Sequence, residues 1–172
     1  KKVVLTSSMA SIAYGHNKEI CTNSDWTDIT KYAGAYIKSK TIAEKAAWEF
    51  IDNQSDKSFS LTTIHPGMVF GPLLNNDLDG ASASLINNLI TGKFPALPDL
   101  YFTVVDVRDV AKLHVQSLKN KDSDNKRIIA TSSNSIAFLE ISKILREFGF
   151  DKAPKNLIPN KVINSLAPFN KE

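Results

Sequence analysis

The sequence predicts an α/β fold, a parallel β-sheet with helices on both faces, and three observations carry that prediction. Short apolar or β-branched runs alternate along the chain with stretches of helical periodicity. Two of those runs end directly in small polar or turn-forming residues, Thr6-Ser7-Ser8 and His65-Pro66-Gly67. The 172 residues, 42% hydrophobic and 23% charged, have the length and composition of a globular chain with a real core.

The elements follow in order. Val3-Val4-Leu5 reads as a buried strand running into the loop Thr6-Ser7-Ser8. A domain rarely opens on a buried strand, so further sequence is expected before Lys1 in the parent protein. The closing Ala167-Pro168-Phe169-Asn170-Lys171-Glu172 likewise stops without completing an element. Residues 13–34 hold Gly15, Asn17, Asn23 and Gly34 among several Ser, Thr and Asp, and predict a long functional loop.

From Tyr36 to about Ile51 the chain predicts a helix, with Ile37, Thr41, Glu44, Trp48 and Ile51 at spacings of three and four. Ala43, Ala46 and Ala47 favour it. Phe59 to Ile64 reads as a strand stopped by His65-Pro66-Gly67. Ser82 to Ile90 reads as a helix closed by Thr91-Gly92, and Phe102 to Val105 as a strand. Asp106 is placed to cap a helix over 107–118, whose Val107, Val110, Leu113, His114 and Leu118 share one face. A strand over Arg127 to Ala130 and a helix over 138–148 follow, with a last short helix expected over Asn160 to Leu166.

Composition excludes several classes of function. The net charge of +3 comes from 21 basic and 18 acidic side chains, too even and too scattered for a nucleic-acid surface. The single cysteine, Cys21, cannot form an internal disulfide or a cysteine-rich zinc site, which points to a reducing, cytoplasmic setting. No apolar run approaches the roughly 18 residues of a membrane span, and no signal peptide is expected. A small-molecule ligand, without metal, nucleic acid or membrane, is the expectation.

Three features can carry chemistry. The first is Tyr36-Ile37-Lys38-Ser39-Lys40, a tyrosine and a lysine four apart at the start of a helix, hence one turn apart on one face. A phenol with a pKa of about 10 exchanges protons poorly near neutrality, and a neighbouring ammonium favours its ionised form. A surface tyrosine and lysine on an amphipathic helix would show the same spacing. The second copy, Tyr14-Gly15-His16-Asn17-Lys18, lies in irregular sequence where that spacing fixes no geometry.

The second feature is Ser8, a hydroxyl past the end of a strand, where open α/β sheets place their ligands and where it can bond a substrate carbonyl. The same serine also suits ordinary loop structure. The third is Thr63-Ile64-His65-Pro66-Gly67-Met68-Val69-Phe70-Gly71-Pro72, a turn whose backbone groups suit contact with a planar amide. It reads equally as a structural strand-to-helix turn. His65, alone beside a proline, reads as structural.

The order of these features resembles the extended short-chain dehydrogenases: a strand ending in Thr-Ser-Ser, Tyr-x-x-x-Lys about 28 residues later, then Pro-x-x-Val-x-Gly-Pro. Three stretches resemble the dihydroflavonol-reductase and yeast-type carbonyl-reductase branch. They are Ala35-Tyr36-Ile37-Lys38-Ser39-Lys40 running on into Ala46-Ala47-Trp48, Ser84-Leu85-Ile86, and Val105-Asp106-Val107-Arg108-Asp109-Val110. The resemblance covers about residues 1–150.

It implies a Rossmann-like sheet, with residues 1–72 the later part of the catalytic domain and 73–172 a substrate-binding lobe interleaved with the last strands. It implies reduction of an aldehyde or ketone by NADPH, with NAD as the alternative cofactor. Tyr36 would be the acid, Lys40 the partner that lowers the tyrosine pKa and holds the nicotinamide ribose, and Ser8 the residue that orients the carbonyl. Pro66, Gly67, Met68 and Val69 would line the nicotinamide, and Ser84 would lie near the cofactor phosphates. Met9, Phe94 and Tyr101, with Leu97, would line the substrate pocket, and Asp106 and Asp109 would be structural.

The seven glycines contain no Gly-x-x-Gly-x-x-Gly spacing. The adenosine and pyrophosphate grip is therefore expected outside this chain, in a missing N-terminal half or a partner in an oligomer. The alternatives are a nucleotide-sugar epimerase or dehydratase on the same scaffold, and a non-catalytic remnant.

Overall fold

The structure is a computed structural model that describes residues 1–31, 34–56, 58–74, 78 and 80–159. In chain order the elements are β1 (Lys2–Thr6), α1 (Ala35–Asp52), β2 (Ser60–Pro66), β3 (Met68–Phe70), α2 (Ala81–Ile90), β4 (Tyr101–Asp106), α3 (Val107–Lys119), β5 (Lys126–Ala130), β6 (Ser135–Ala137) and α4 (Phe138–Glu147). Single 3-10 turns lie at Met9–Ser11 and Lys121–Ser123. The expected helix over Asn160 to Leu166 lies outside the described residues. The chain divides into two compact units, one of Lys1–Gly67 with Val105–Thr131, the other of Met68–Val104 with Ser132 onward.

The first unit is built on a parallel sheet in the order β1-β2-β5. β2 is central, and Leu61 to Pro66 are buried on both faces, as a strand covered by helices should be. It runs two residues beyond the predicted stop, because His65 and Pro66 stay in register with Ile129 and Ala130 of β5. Proline is tolerated there, at the strand's last position, where the missing N–H interrupts no continuing ladder.

Among the described strands β1 lies at one edge of this sheet and β5 at the other, and Val3 is 43% exposed. The sequence reading of a buried strand is corrected there: an apolar run identifies a strand but not whether both its faces and its edge are covered.

Helix α1 turns Thr41, Glu44 and Ile51 inward, with Ile37 and Trp48 half-buried, which is the predicted stripe. Asp106 caps α3, its Oδ1 accepting the Arg108 N–H at 2.8 Å. The buried face of α3 differs from the predicted one. Val110 and Ser117 are buried, while Val107 and Leu118 are exposed. Ser117 is drawn in because its carbonyl accepts the Ser123 hydroxyl at 2.9 Å.

Between Ile12 and Lys31 the described chain forms neither helix nor strand, as expected. Gly15 pins this loop with φ +78°, and a Cβ there would sit 2.3 Å from the Asp28 carbonyl oxygen.

The second unit holds the sheet β3-β4-β6, in which β4 and β6 run antiparallel with Tyr101 opposite Ala137 and Thr103 opposite Ser135. β3 and β6 are three residues each, too short for periodicity to announce. The core gathers Leu89, Leu97, Phe138 and Ile141, with Phe94 and Phe102 set edge-on to Phe138.

Candidate active site

Ser8 sits at the end of β1 as the cap of the 3-10 turn Met9–Ser11, in extended backbone. Its hydroxyl oxygen accepts the Ala10 N–H at 3.1 Å. Accepting from the backbone leaves the hydroxyl proton to be donated elsewhere. Met9, half-buried, is the next residue of that turn.

Tyr36 lies in the first turn of α1 and is 57% exposed; Lys40 follows one turn later, half-buried. Among the described residues neither the phenol nor the ammonium has a hydrogen-bond partner. Helix and turn are tied together: the Ala10 carbonyl accepts hydroxyls from Thr27 at 2.7 Å and Thr41 at 3.5 Å. The first unit thus brings Ser8, Tyr36 and Lys40 onto one packed pair of elements. The Tyr14 copy of the motif has another use, since Lys18 pairs with Asp25. That contact, with the Thr22 N–H, draws the Asp25 pKa down to about 2.

The Pro66–Val69 segment runs from the last residue of β2 into β3. Its backbone N–H groups are not all free: Gly67 donates to Ala130 at 3.2 Å and Val69 to the Ser82 hydroxyl at 3.2 Å. Pro66 and Gly67 belong to the first unit, Met68 and Val69 to the second. Ser84 in α2 donates its hydroxyl to the Leu78 carbonyl at 2.5 Å. Phe94 packs into the core of the second unit, Leu97 is fully buried there, and Tyr101 is 65% exposed at the start of β4. The same unit contains an apolar cavity of about 550 Å³, walled by Val69, Phe70, Ile86, Ile90, Val104 and Leu145 among others.

Beneath Ser8 lies a polar cluster that the motifs do not announce. Glu44, 1% exposed, receives bonds on both carboxylate oxygens. Ser7 and Ser11 donate to Oε2 at 2.6 and 2.5 Å, and Thr63 and Trp48 to Oε1, each at 3.2 Å. His65 Nε2 lies 2.8 Å from Oε1 and Arg127 Nε 2.7 Å from it.

Burial alone pushes the Glu44 carboxyl up. The bonds from His65, Arg127, Ser11 and Ser7 outweigh it and hold the group well below the usual carboxylate range. Arg127 also stacks on Trp26, with its central carbon 3.8 Å from the ring centroid, and bonds the carbonyls of Asn23 and Asp25 at 2.8 and 2.5 Å. The signal was visible: Glu44 is a carboxylate in the middle of the buried stripe of α1.

A parallel sheet with a serine at one strand end, beside a helix that opens on Tyr-x-x-x-Lys, defines the Rossmann-like, short-chain dehydrogenase class of fold. The model of the NAD dependent epimerase/dehydratase family matches residues 1–130, and the chain belongs to that family, among its extended short-chain dehydrogenases.

It is 34% identical over 154 residues to cinnamoyl-CoA reductase CAD2 of Medicago truncatula, covering 86% of this chain and 45% of that protein. It is 32% identical over 163 residues to NADPH-dependent methylglyoxal reductase GRE2 of Saccharomyces cerevisiae, covering 86% and 47%. The crystal structure of Gre2 from Candida albicans matches with a TM-score of 0.75 and 33% identity, over 90% of this chain and 51% of that one. The chain thus spans about half the length of the relatives it matches. No helix among the described residues is long and apolar enough to cross a membrane.

Proposed function

We propose that this chain carries the catalytic residues of an NADP-dependent reductase of aldehydes or ketones. The observation behind this reading is one arrangement. Tyr36 and Lys40 stand one turn apart at the start of α1, unpartnered among the described residues, and α1 packs on the turn that Ser8 caps. Relatives at 32 and 34% identity named as an NADPH-dependent methylglyoxal reductase and a cinnamoyl-CoA reductase support the reaction class and the cofactor.

The residues fit the nicotinamide end of a dinucleotide: a phenol, an ammonium and a hydroxyl with a proton to give. The adenosine and pyrophosphate end would be held by residues outside this chain. When bound, NADPH supplies a hydride to the carbonyl carbon. Ser8 donates its hydroxyl proton in a hydrogen bond to the carbonyl oxygen and orients it. Tyr36 transfers its phenolic proton to that oxygen, so that an alcohol leaves and the phenol is reprotonated from water. Lys40 would hold the ribose hydroxyls of the bound dinucleotide and steady the ionised phenol. Glu44 and His65 take no part in the proton transfer.

The test uses the full-length protein with NADPH and methylglyoxal, alongside a panel of aliphatic and aromatic aldehydes. NADPH should be consumed with at least one of them. Tyr36→Phe should cut kcat by roughly 10²- to 10⁴-fold while NADPH fluorescence titrations stay unchanged. Turnover in Tyr36→Phe equal to that of the parent, or no turnover of any carbonyl by the parent, sinks the reading.

A further inference from the structure

We propose that Glu44 is a positioning residue that sets Ser8 against Tyr36 and Lys40, an inference that rests on the reductase reading above. Glu44 stands on α1 one turn past Lys40 and two turns past Tyr36. Its carboxylate reaches back to the other half of the site through the two serines that bracket Ser8. The Ser7 hydroxyl donates to Oε2 at 2.6 Å. The Ser11 hydroxyl donates to the same oxygen at 2.5 Å, while the Ser11 N–H donates to the Ser8 carbonyl oxygen at 3.0 Å. The backbone of Ser8 and the helix of Tyr36 are therefore referred to one buried group.

The same group is fixed from below. Thr63 and His65 of β2 and Arg127 of β5 all bond it, so the central strand, its neighbour, the helix and the turn share a single reference point. Packing alone would let these elements slide within the tolerance of a rotamer. Directional bonds from five side chains outside α1 do not.

Apolar residues of similar volume often stabilise a core as well as a buried ion pair does, so stability alone does not call for this one. Placement does. Displacing a reacting group by about 1 Å can lower a rate on the order of a hundredfold.

The experiment compares Glu44→Gln, Ser11→Ala, Ser8→Ala and the pair Ser8→Ala/Glu44→Gln in the full-length protein. It uses NADPH and the aldehyde turned over fastest. Rates are taken per folded molecule, well below each melting temperature.

Glu44→Gln should lower kcat by about ten- to a hundredfold, and Ser11→Ala by a smaller factor, with KM and NADPH affinity little changed. In the Ser8→Ala background the Glu44→Gln loss should largely vanish, because both act through the same hydroxyl. If Glu44→Gln does not fold, Ser11→Ala and Ser7→Ala carry the same comparison.

A lowered melting temperature with unchanged kcat in all these variants overturns the proposal and leaves a scaffold contact. So does a Glu44→Gln loss that multiplies in full onto Ser8→Ala. A Tyr36→Phe control separates the two readings. Normal turnover in Tyr36→Phe fails the reductase reading itself. A dead Tyr36→Phe beside an unimpaired Glu44→Gln fails only the positioning role.

Discussion

The Nε2 of His65 lies 2.8 and 2.9 Å from the two oxygens of Glu44, and the two side chains are 0% and 1% exposed. This contact makes the fold sensitive to acid. Glu44 has a lowered pKa in the folded protein because its hydrogen bonds outweigh the cost of burial. A carboxyl of that kind binds its proton more readily in the unfolded chain. Its contribution to stability is complete above the unfolded value of about 4.3 and is lost as pH falls from there toward the folded value. Urea unfolding of the protein from about pH 7 down to about pH 3 should show this loss, and Glu44→Gln should show a flatter curve. Parallel curves would remove Glu44 from the account. Glu44→Ala should cost about 3–5 kcal/mol near neutral pH, since it leaves Arg127, whose side chain is only 10% exposed, without its counter-charge.

Arg127 does three things at once. It pairs with Glu44, donates to the carbonyls of Asn23 and Asp25, and lies flat on Trp26. Only a planar fork with several donors can do all three. Arg127→Lys keeps the charge but loses the stack and most of the bonds, and should destabilise by about 1–3 kcal/mol in denaturant unfolding. Trp26 fluorescence should shift toward the exposed value in the same variant. An unchanged unfolding midpoint would mean that the charge alone matters.

The sequence made the main elements of the first unit legible because their signals are local. The 3.6-residue stripe of α1, the cap at Asp106 and the turn after β2 each depend on neighbours within a few residues. The pair Tyr36 and Lys40 was legible for the same reason, since one helical turn joins them. The cluster around Glu44 was not. Its members, Ser7, Ser11, Thr63, His65 and Arg127, are brought to Glu44 by the pairing of β2 with β1 and β5, Arg127 from 83 residues away. The exposure of Val3, Val107 and Leu118 was hidden for a related reason: periodicity gives a face, and only the neighbouring elements decide how much of it is covered.

Gly15 tests the loop that runs from Ile12 to Lys31. Its φ of +78° is costly for any residue with a Cβ, and the added carbon would also overlap the Asp28 carbonyl oxygen at 2.3 Å. The Asp28 N–H is bonded to Tyr14 at 2.9 Å, so the backbone on that side is held and cannot simply retreat. Gly15→Ala should therefore destabilise by about 1–3 kcal/mol, with the loop's amide protons losing protection from hydrogen exchange before those of β2. A variant as stable as the parent would show that the turn can be rebuilt at no cost.

Phe138 tests the core of the second unit. It opens α4, is 4% exposed, and receives Phe102 and Phe94 edge-on at centroid distances of 5.2 and 6.3 Å. Its N–H is also bonded to the Leu100 carbonyl at 2.8 Å, which fixes where the ring enters the core. Phe138→Ala removes the ring and both aromatic contacts, and the surrounding Leu89, Leu97 and Ile141 can collapse only partly into the space. The expected cost is about 3–5 kcal/mol, against about 1–2 kcal/mol for Phe138→Leu, which keeps most of the volume. Both variants keep Ser8, Tyr36 and Lys40, so a loss of turnover beyond the loss of folded protein would tie this core to the chemistry. Thermal unfolding and activity on the same samples separate the two effects.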